Sequence, residues 1–260
     1  MTLPTYEVHA IKYAQRQTSS DNTFIFKDPH DAPMNMDYFI WSISSGRKTY
    51  VVDLGFDRRY ERGSRHLLRT PAEGLKLLGI NPAEIENVIV SHMHYDHAGS
   101  VPDFPNAKFY IQDSEMDFAT GRYLKHKAFR YGNFIEYTVD FLRALYDDRI
   151  NFTNGPAEIA PGLTVHRVGG HTQGMQIVRV WTRRGWLVLA SDAIHMYSNL
   201  EKENPYPAAF SVGDMLEGTR TALQLADSKP EMVVPGHDPL KMQRYSATTG
   251  ALDGIAVRLD

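Results

Sequence analysis

The sequence predicts a mixed α/β fold: two packed β-sheets flanked by helices, within one domain spanning residues 1–260. Three observations carry this. Short β-branched apolar runs fall into two groups along the chain, stretches of helical period lie between the groups, and no shift of composition marks a linker. Length alone would fit one large domain or two small ones, so the missing linker decides.

Residues 5 to 13, 38 to 44 and 49 to 53 read as strands, the last two joined by a turn at Ser45-Gly46. The polar segment 16 to 36 is expected to be an ordered loop. Pro71 to Leu78 predicts a short helix, with proline in its first turn and Gly79 as its stop. Asn81-Pro82 opens a turn into the apolar strand Asn87-Val-Ile-Val-Ser91. A strand over 107 to 111 and helices over 113 to 120 and 134 to 147 follow. In the second helix Phe134, Tyr137, Phe141 and Leu145 recur at helical spacing, which suits a core stripe or the wall of an apolar pocket. The second half predicts strands at 163 to 168, 174 to 181, 185 to 191 and 231 to 234, a helix over 212 to 227, and an edge strand at 254 to 259.

Composition narrows the function. With no cysteine, any metal must be held by nitrogen and oxygen donors. A net charge of −3 and the absence of a long Lys/Arg block argue against a nucleic-acid partner, whose phosphates need clustered cations. Arg58, Arg59, Arg62 and Arg65, interrupted by Glu61, read as a solvated face. No run approaches the roughly 18–20 apolar residues that span a bilayer, and the amino terminus lacks the pattern of a secretory leader. The expectation is a cytoplasmic protein with a small-molecule substrate and no membrane partner; a homodimer is left open.

The chemistry concentrates in Ser91 to Ser100, SHMHYDHAGS, which places His92, His94, Asp96 and His97 within six residues. They begin where a predicted strand ends. Residues two apart on a strand share a side, so His92 and His94 can meet one cation while Asp96 and His97 turn toward a second. Three more donors fall at later strand ends: His171 between glycines in GGHTQG, Asp192 after Trp186-Leu-Val-Leu-Ala-Ser, and His237 after Met232-Val-Val-Pro-Gly. Together they make two sites with a shared wall, His92, His94 and His171 around one ion and Asp96, His97 and His237 around the other. Asp192 can bridge, because a carboxylate offers each metal one oxygen. Asp53, at the end of its strand, is either a buried structural acid or a group that orients a ligand histidine. His9, His30, His66, His126 and His166 have no motif around them and read as packing or surface residues.

With these residues in view, the chain resembles the metallo-β-lactamase-fold hydrolases, whose pattern is HxHxDH followed downstream by His, Asp and His. The match runs from VVDLG through SHMHYDHAG, GGHTQG and SDA to VPGHD. Within that superfamily it is most similar to the N-acyl homoserine lactonases. The resemblance implies a four-layer αββα sandwich and two divalent ions per chain, zinc first, with manganese, iron and cobalt also suited to the donors. It implies that a water between the ions, made acidic by them, opens a lactone as hydroxide, with Asp96 passing a proton to the leaving alkoxide. In the lactonases an aromatic hydroxyl three residues past the bridging aspartate helps hold the substrate carbonyl. This chain has His195 there, with Tyr197 two further on, and either can donate that hydrogen bond, His195 being equally readable as a packing residue. Other hydrolases of the fold remain as alternatives: a glyoxalase-II-type thioesterase, a β-lactamase or a phosphodiesterase. The iron enzymes of the fold do not fit the pattern, one group keeping only two histidines and a carboxylate, the other placing a glutamate where His94 stands.

Overall fold

The structure, a computed structural model, describes residues 3–27, 29–60 and 63–260. Two sheets face each other. The larger contains β1 (Glu7–Arg16), β2 (Met36–Ser45), β3 (Lys48–Val52), β4 (Arg65–Leu67), β5 (Asn87–Ile89), β6 (Lys108–Gln112), β7 (Ile150–Thr153) and β13 (Ala256–Arg258). Its order is β13-β1-β2-β3-β5-β6-β7, with β4 also paired to β1. The β1, β2 and β3 ladders are antiparallel, whereas β3, β5, β6 and β7 run parallel. The smaller sheet is ordered β12 (Val233–Pro235), β11 (Gly185–Ser191), β10 (Gln176–Thr182), β9 (Leu163–Arg167) and β8 (Ala157–Ala160). Only its β11–β12 ladder is parallel.

The two-residue period of a strand sorts side chains between two cores. Phe39, Trp41 and Ile43 of β2, Tyr50 and Val52 of β3, and Ile89 of β5 enter the core between the sheets. Their neighbours Tyr38, Ile40, Val51 and Val88 enter the core under the helices. That second core is closed by α1 (Pro71–Leu77), α2 (Asp113–Thr120) and α4 (Ile135–Tyr146), through Leu75, Met116, Tyr137 and Phe141. On the far side α6 (Val212–Leu225) packs Ala222 against the smaller sheet. Both sheets are mixed and lie between helices, as the sequence predicts. Among the described residues no helix is long and apolar enough to cross a membrane.

Several expectations shift. The strand before the histidine motif ends at Ile89, so His92 and His94 lie in a loop and not on a strand. β4, β7 and β8 carry too little alternation over three or four residues to be read from sequence. Tyr137 and Phe141 of the aromatic stripe are core residues and do not line the cavity in front of the histidine motif. α1 starts as predicted, with Pro71 in its first turn and Thr70 and Glu73 forming a reciprocal cap.

Candidate metal centre

Strand ends assemble the centre. The carboxyl ends of β3, β5, β11 and β12 lead directly into Asp53, the 90–100 loop, Asp192 and His237, and the β9–β10 connection supplies His171. Backbone bonds hold the loop against the turn after β3, with Leu54 N donating to His97 O at 2.8 Å and Gly99 N to Gly55 O at 2.7 Å. Gly170 has φ of +90°, and a Cβ there would stand 2.5 Å from Met215 N, so glycine is required for the chain to turn into His171. Glu115, buried on α2, ties two donor loops together: its carboxylate accepts from Met93 N at 2.8 Å, Thr172 Oγ1 at 2.6 Å and Gly174 N at 3.0 Å. Burial pushes its carboxyl up to about 7 despite those bonds.

All seven predicted donors converge. Asp192 Oδ1 lies 2.9 Å from His237 Nε2 and 3.2 Å from His97 Nε2. Its Oδ2 lies 3.3 Å from His171 Nε2 and 3.9 Å from His92 Nε2. Asp96 Oδ2 is 3.6 Å from both His97 Nε2 and His237 Nε2. His94 Nδ1 is 2.8 Å from His171 Nε2. The side chains form two adjoining donor groups, His92, His94 and His171 in one and Asp96, His97, Asp192 and His237 in the other, and His171 and Asp192 form a third with His195, the donor atoms of each group lying mutually within 4.8 Å.

Hydrogen bonds on the outer nitrogens decide what the inner ones offer. Carbonyls only accept, so His171 Nδ1 donates to Ala208 O at 2.6 Å and His237 Nδ1 to Asp37 O at 3.0 Å. His97 Nδ1 donates to Asp53 Oδ2 at 2.7 Å. Ser91 Oγ spends its proton on Asp53 Oδ2 at 2.9 Å and therefore accepts from His92 Nδ1 at 3.0 Å. Four imidazoles are thereby fixed with Nε2 toward the cluster, where a neutral ring carries a lone pair. His92 Nε2, His97 Nε2 and Asp192 Oδ1 are buried without a hydrogen-bond partner. Buried polar atoms left this way are costly unless something binds them, and a divalent cation fits a pocket of imidazole nitrogen and carboxylate oxygen.

Charge divides the histidines. Burial pulls the pKa values of His92, His94 and His171 down, His94 to about 4, so these rings are neutral donors. Burial also works against charge on His97, but Asp192, Asp96 and Asp53 overcome it and hold its pKa well above the ordinary value. A proton there competes with a metal for the same electron pair.

Asp53 takes the orienting reading of its two alternatives, since it fixes both His97 and Ser91. It adopts φ of +64°, and Ser191, immediately before Asp192, adopts +44°. Both strained residues lie at strand ends and meet through Ser191 Oγ, 3.3 Å from Asp53 Oδ2.

His195 is buried at the cluster, its Nε2 3.0 Å from Asp192 Oδ2 and its ring stacked on Tyr206 at 3.8 Å. Tyr197 stacks under Arg244 and does not line the cavity in front of the cluster, so of the two expected carbonyl donors only His195 faces it. That cavity, about 230 Å³, is walled by Phe118, Phe129 and Phe210 on one side and by Arg16, Arg65 and Tyr206 on another. Sequence reasoning singled out none of these as site residues. Arg65 is a correction, because it faces the cavity instead of a solvated patch; Glu61 and Arg62 of that patch lie outside the described residues. Of the dismissed histidines, His166 meets Thr164 Oγ1 at 2.9 Å and His9 meets Thr248 Oγ1 at 3.1 Å.

Comparison with known proteins bears on this geometry. The family model of the metallo-beta-lactamase superfamily matches residues 35–237. The N-acyl homoserine lactonase AttM of Azorhizobium caulinodans is 29% identical over 191 residues, 69% of this chain and 68% of its own length. An N-acyl homoserine lactonase of Bacillus cereus is 28% identical over 167 residues, and there the chain covers 63% of itself but only 60%, under two thirds, of that relative. The crystal structure of an N-acyl homoserine lactone hydrolase with N-hexanoyl-L-homoserine at its catalytic metal centre superposes with a TM-score of 0.77 at 20% identity, covering 95% of this chain and 98% of that one. AidC, a dizinc quorum-quenching lactonase, superposes with a TM-score of 0.72 at 18% identity, covering 92% and 90%. At such identities the two superpositions establish the fold.

Proposed function

The chain belongs to the metallo-beta-lactamase superfamily, and on that premise we propose that it is a metal-dependent hydrolase that opens a lactone ring, that of an N-acyl homoserine lactone or a related cyclic ester. We assign this activity to one domain of residues 1–260. The observation that carries the reading is the buried cluster of inward-facing nitrogens and carboxylate oxygens left without partners. His92, His94 and His171 would hold one ion, and Asp96, His97 and His237 the other. Asp192 would serve both, since Oδ2 faces the first group and Oδ1 the second. Such a pair, for which zinc, manganese, iron and cobalt all suit the donors and the likeness to a dizinc lactonase favours zinc, would supply acidity to a water and polarisation to an ester carbonyl.

The chain's own groups do the rest. Asp96 faces His97 and His237 through Oδ2, which leaves Oδ1 to take a proton and deliver it to the leaving alkoxide. Its carboxyl is held near 2, burial being outweighed by His97 and His237, so it begins as the anion this role needs. Tyr206, stacked on His195 and lining the cavity, supplies the aromatic hydroxyl that position 195 lacks. His195, whose Nε2–H is engaged by Asp192 Oδ2 at 3.0 Å, would hold Tyr206 in place by stacking and leave that hydroxyl to meet the carbonyl oxygen, which corrects the expectation that His195 itself donates. Phe118 packs edge to face on Phe129 and Phe210 at 6.0 and 5.4 Å, Phe129 and Phe210 meet at a tilt at 5.7 Å, and the three would exclude water beside the reacting bond.

A hydrolysis screen with metal content measured on the same sample tests this. Acyl homoserine lactones of several tail lengths, other γ- and δ-lactones, thioesters and phosphodiesters are compared. Turnover should be greatest on lactones; turnover confined to thioesters or phosphodiesters would overturn the reading in favour of another hydrolase of the family.

A further inference from the structure

Two cations in the cavity are not used by the chemistry above. Arg16 ends β1, Arg65 opens β4, and the two are direct partners in the antiparallel ladder. Like charges placed opposite each other on paired strands repel. A carboxylate between them would relieve this, yet the ion pairs formed among the described residues engage neither arginine. Their neighbours are phenols: Arg65 Nε donates to the Tyr95 hydroxyl at 2.6 Å, and that hydroxyl stands 3.1 Å from Tyr38's. Arg16 Nε is buried with no hydrogen-bond partner at all. Both side chains line the same cavity as His94, Asp96, Asp192 and His237.

We propose that the substrate of this centre is an ester or lactone that itself carries an oxyanion, a carboxylate or a phosphate, and that Arg16 and Arg65 clamp that group while the carbonyl meets the donor cluster. This rests on the hydrolase reading. A guanidinium presents a planar fork that matches an oxyanion with two parallel bonds, and two forks facing each other across a ladder form a socket of one sign. An uncharged substrate would leave the buried Arg16 Nε without a partner and Arg65 with phenol partners alone, whereas an oxyanion satisfies both forks. Size agrees: about 230 Å³ is below the roughly 300–1,000 Å³ of pockets for drug-sized ligands, so the cavity suits a compact acid.

Matched substrates test the clamp on the metal-loaded enzyme. One is a γ-lactone with a carboxylate on the carbon next to the ring oxygen; the others are its carboxamide and the same lactone bearing a phosphate ester on a short arm. A charged lactone should exceed the carboxamide in kcat/KM by about 10- to 100-fold, and whichever anion is preferred names the group. Arg16→Met and Arg65→Gln should bring that ratio close to one, and Arg16→Lys should keep part of it. Calorimetry of the ring-opened diacid against its mono-amide gives a readout without turnover, with the same preference in the wild type and its loss in both variants. If lactones are hydrolysed with a ratio near one in the wild type, the clamp is wrong and the hydrolase stands. If no lactone turns over but diacid binding depends on both arginines, the clamp stands and the lactone reading fails. If the diacid and mono-amide bind wild type alike, the clamp is wrong whatever the turnover.

Discussion

At the floor of the cavity, the donor atoms sit on strand ends and on turns tied to them by buried hydrogen bonds: Asp53 to His97 and Ser91, Glu115 to the loops of His92 and His171, Asp37 to His237. Its wall is made otherwise. Arg16 and Arg65 come from one edge of the larger sheet, Phe118 from α2, Phe129 from α3 (Lys127–Arg130), and Tyr206 and Phe210 from the segment before α6. The floor is buried and cross-braced, and much of the wall is half-exposed. Floor and wall meet at several points, among them the His171 bond to Ala208 O, the Phe210 N bond to Gly170 O, the Arg65 bond to Tyr95 and the His195 stack on Tyr206. We read the difference as a division of labour, with the floor carrying the reaction and the wall, apart from the Tyr206 hydroxyl, choosing the substrate.

Substitutions can break that separation or sharpen it. Asp192→Ala removes the acid that faces both donor groups, and turnover should fall by orders of magnitude with no more than one ion retained; near-normal kcat with one bound metal would make the floor's two-group reading untenable. Asp53→Asn keeps the shape but weakens the acceptor that orients His97, and metal affinity or activity should drop about 10- to 100-fold, read by competition with a chelator. An unchanged affinity would return Asp53 to a purely structural role. Phe210→Ala, on the wall, should act least, raising KM for an acyl-tailed lactone several-fold while the ion count stays at its wild-type value. Loss of metal in that variant would show that floor and wall are not separable.

The same division explains what could be read from the sequence. Donors crowd into six residues or follow apolar runs singly, so His92, His94, Asp96, His97, His171, Asp192 and His237 were all legible from local pattern. Period-two alternation likewise exposed the longer strands, β1, β2, β10 and β11, and with them the two-sheet fold. Arg16 and Arg65 were not legible, because their pairing depends on β4, three residues long with no alternation to mark it. Glu115 sits in an ordinary helical run and gains meaning only from the backbone amides of two distant loops. Tyr206 lies eleven positions beyond the residue it stacks on, in a segment without regular structure. The Phe134–Leu145 stripe suited either a core or a pocket wall, and only packing against Phe109 and its neighbours places Tyr137 and Phe141 in the core.

Direct measurement of bound metal tests the central claim, that these seven side chains hold a pair of cations. Protein purified without chelator should carry two divalent ions per chain by elemental analysis, release both to a strong chelator together with its hydrolytic activity, and regain both on adding zinc back. A single ion per chain at saturation, or hydrolysis that persists after both ions are removed, would contradict it.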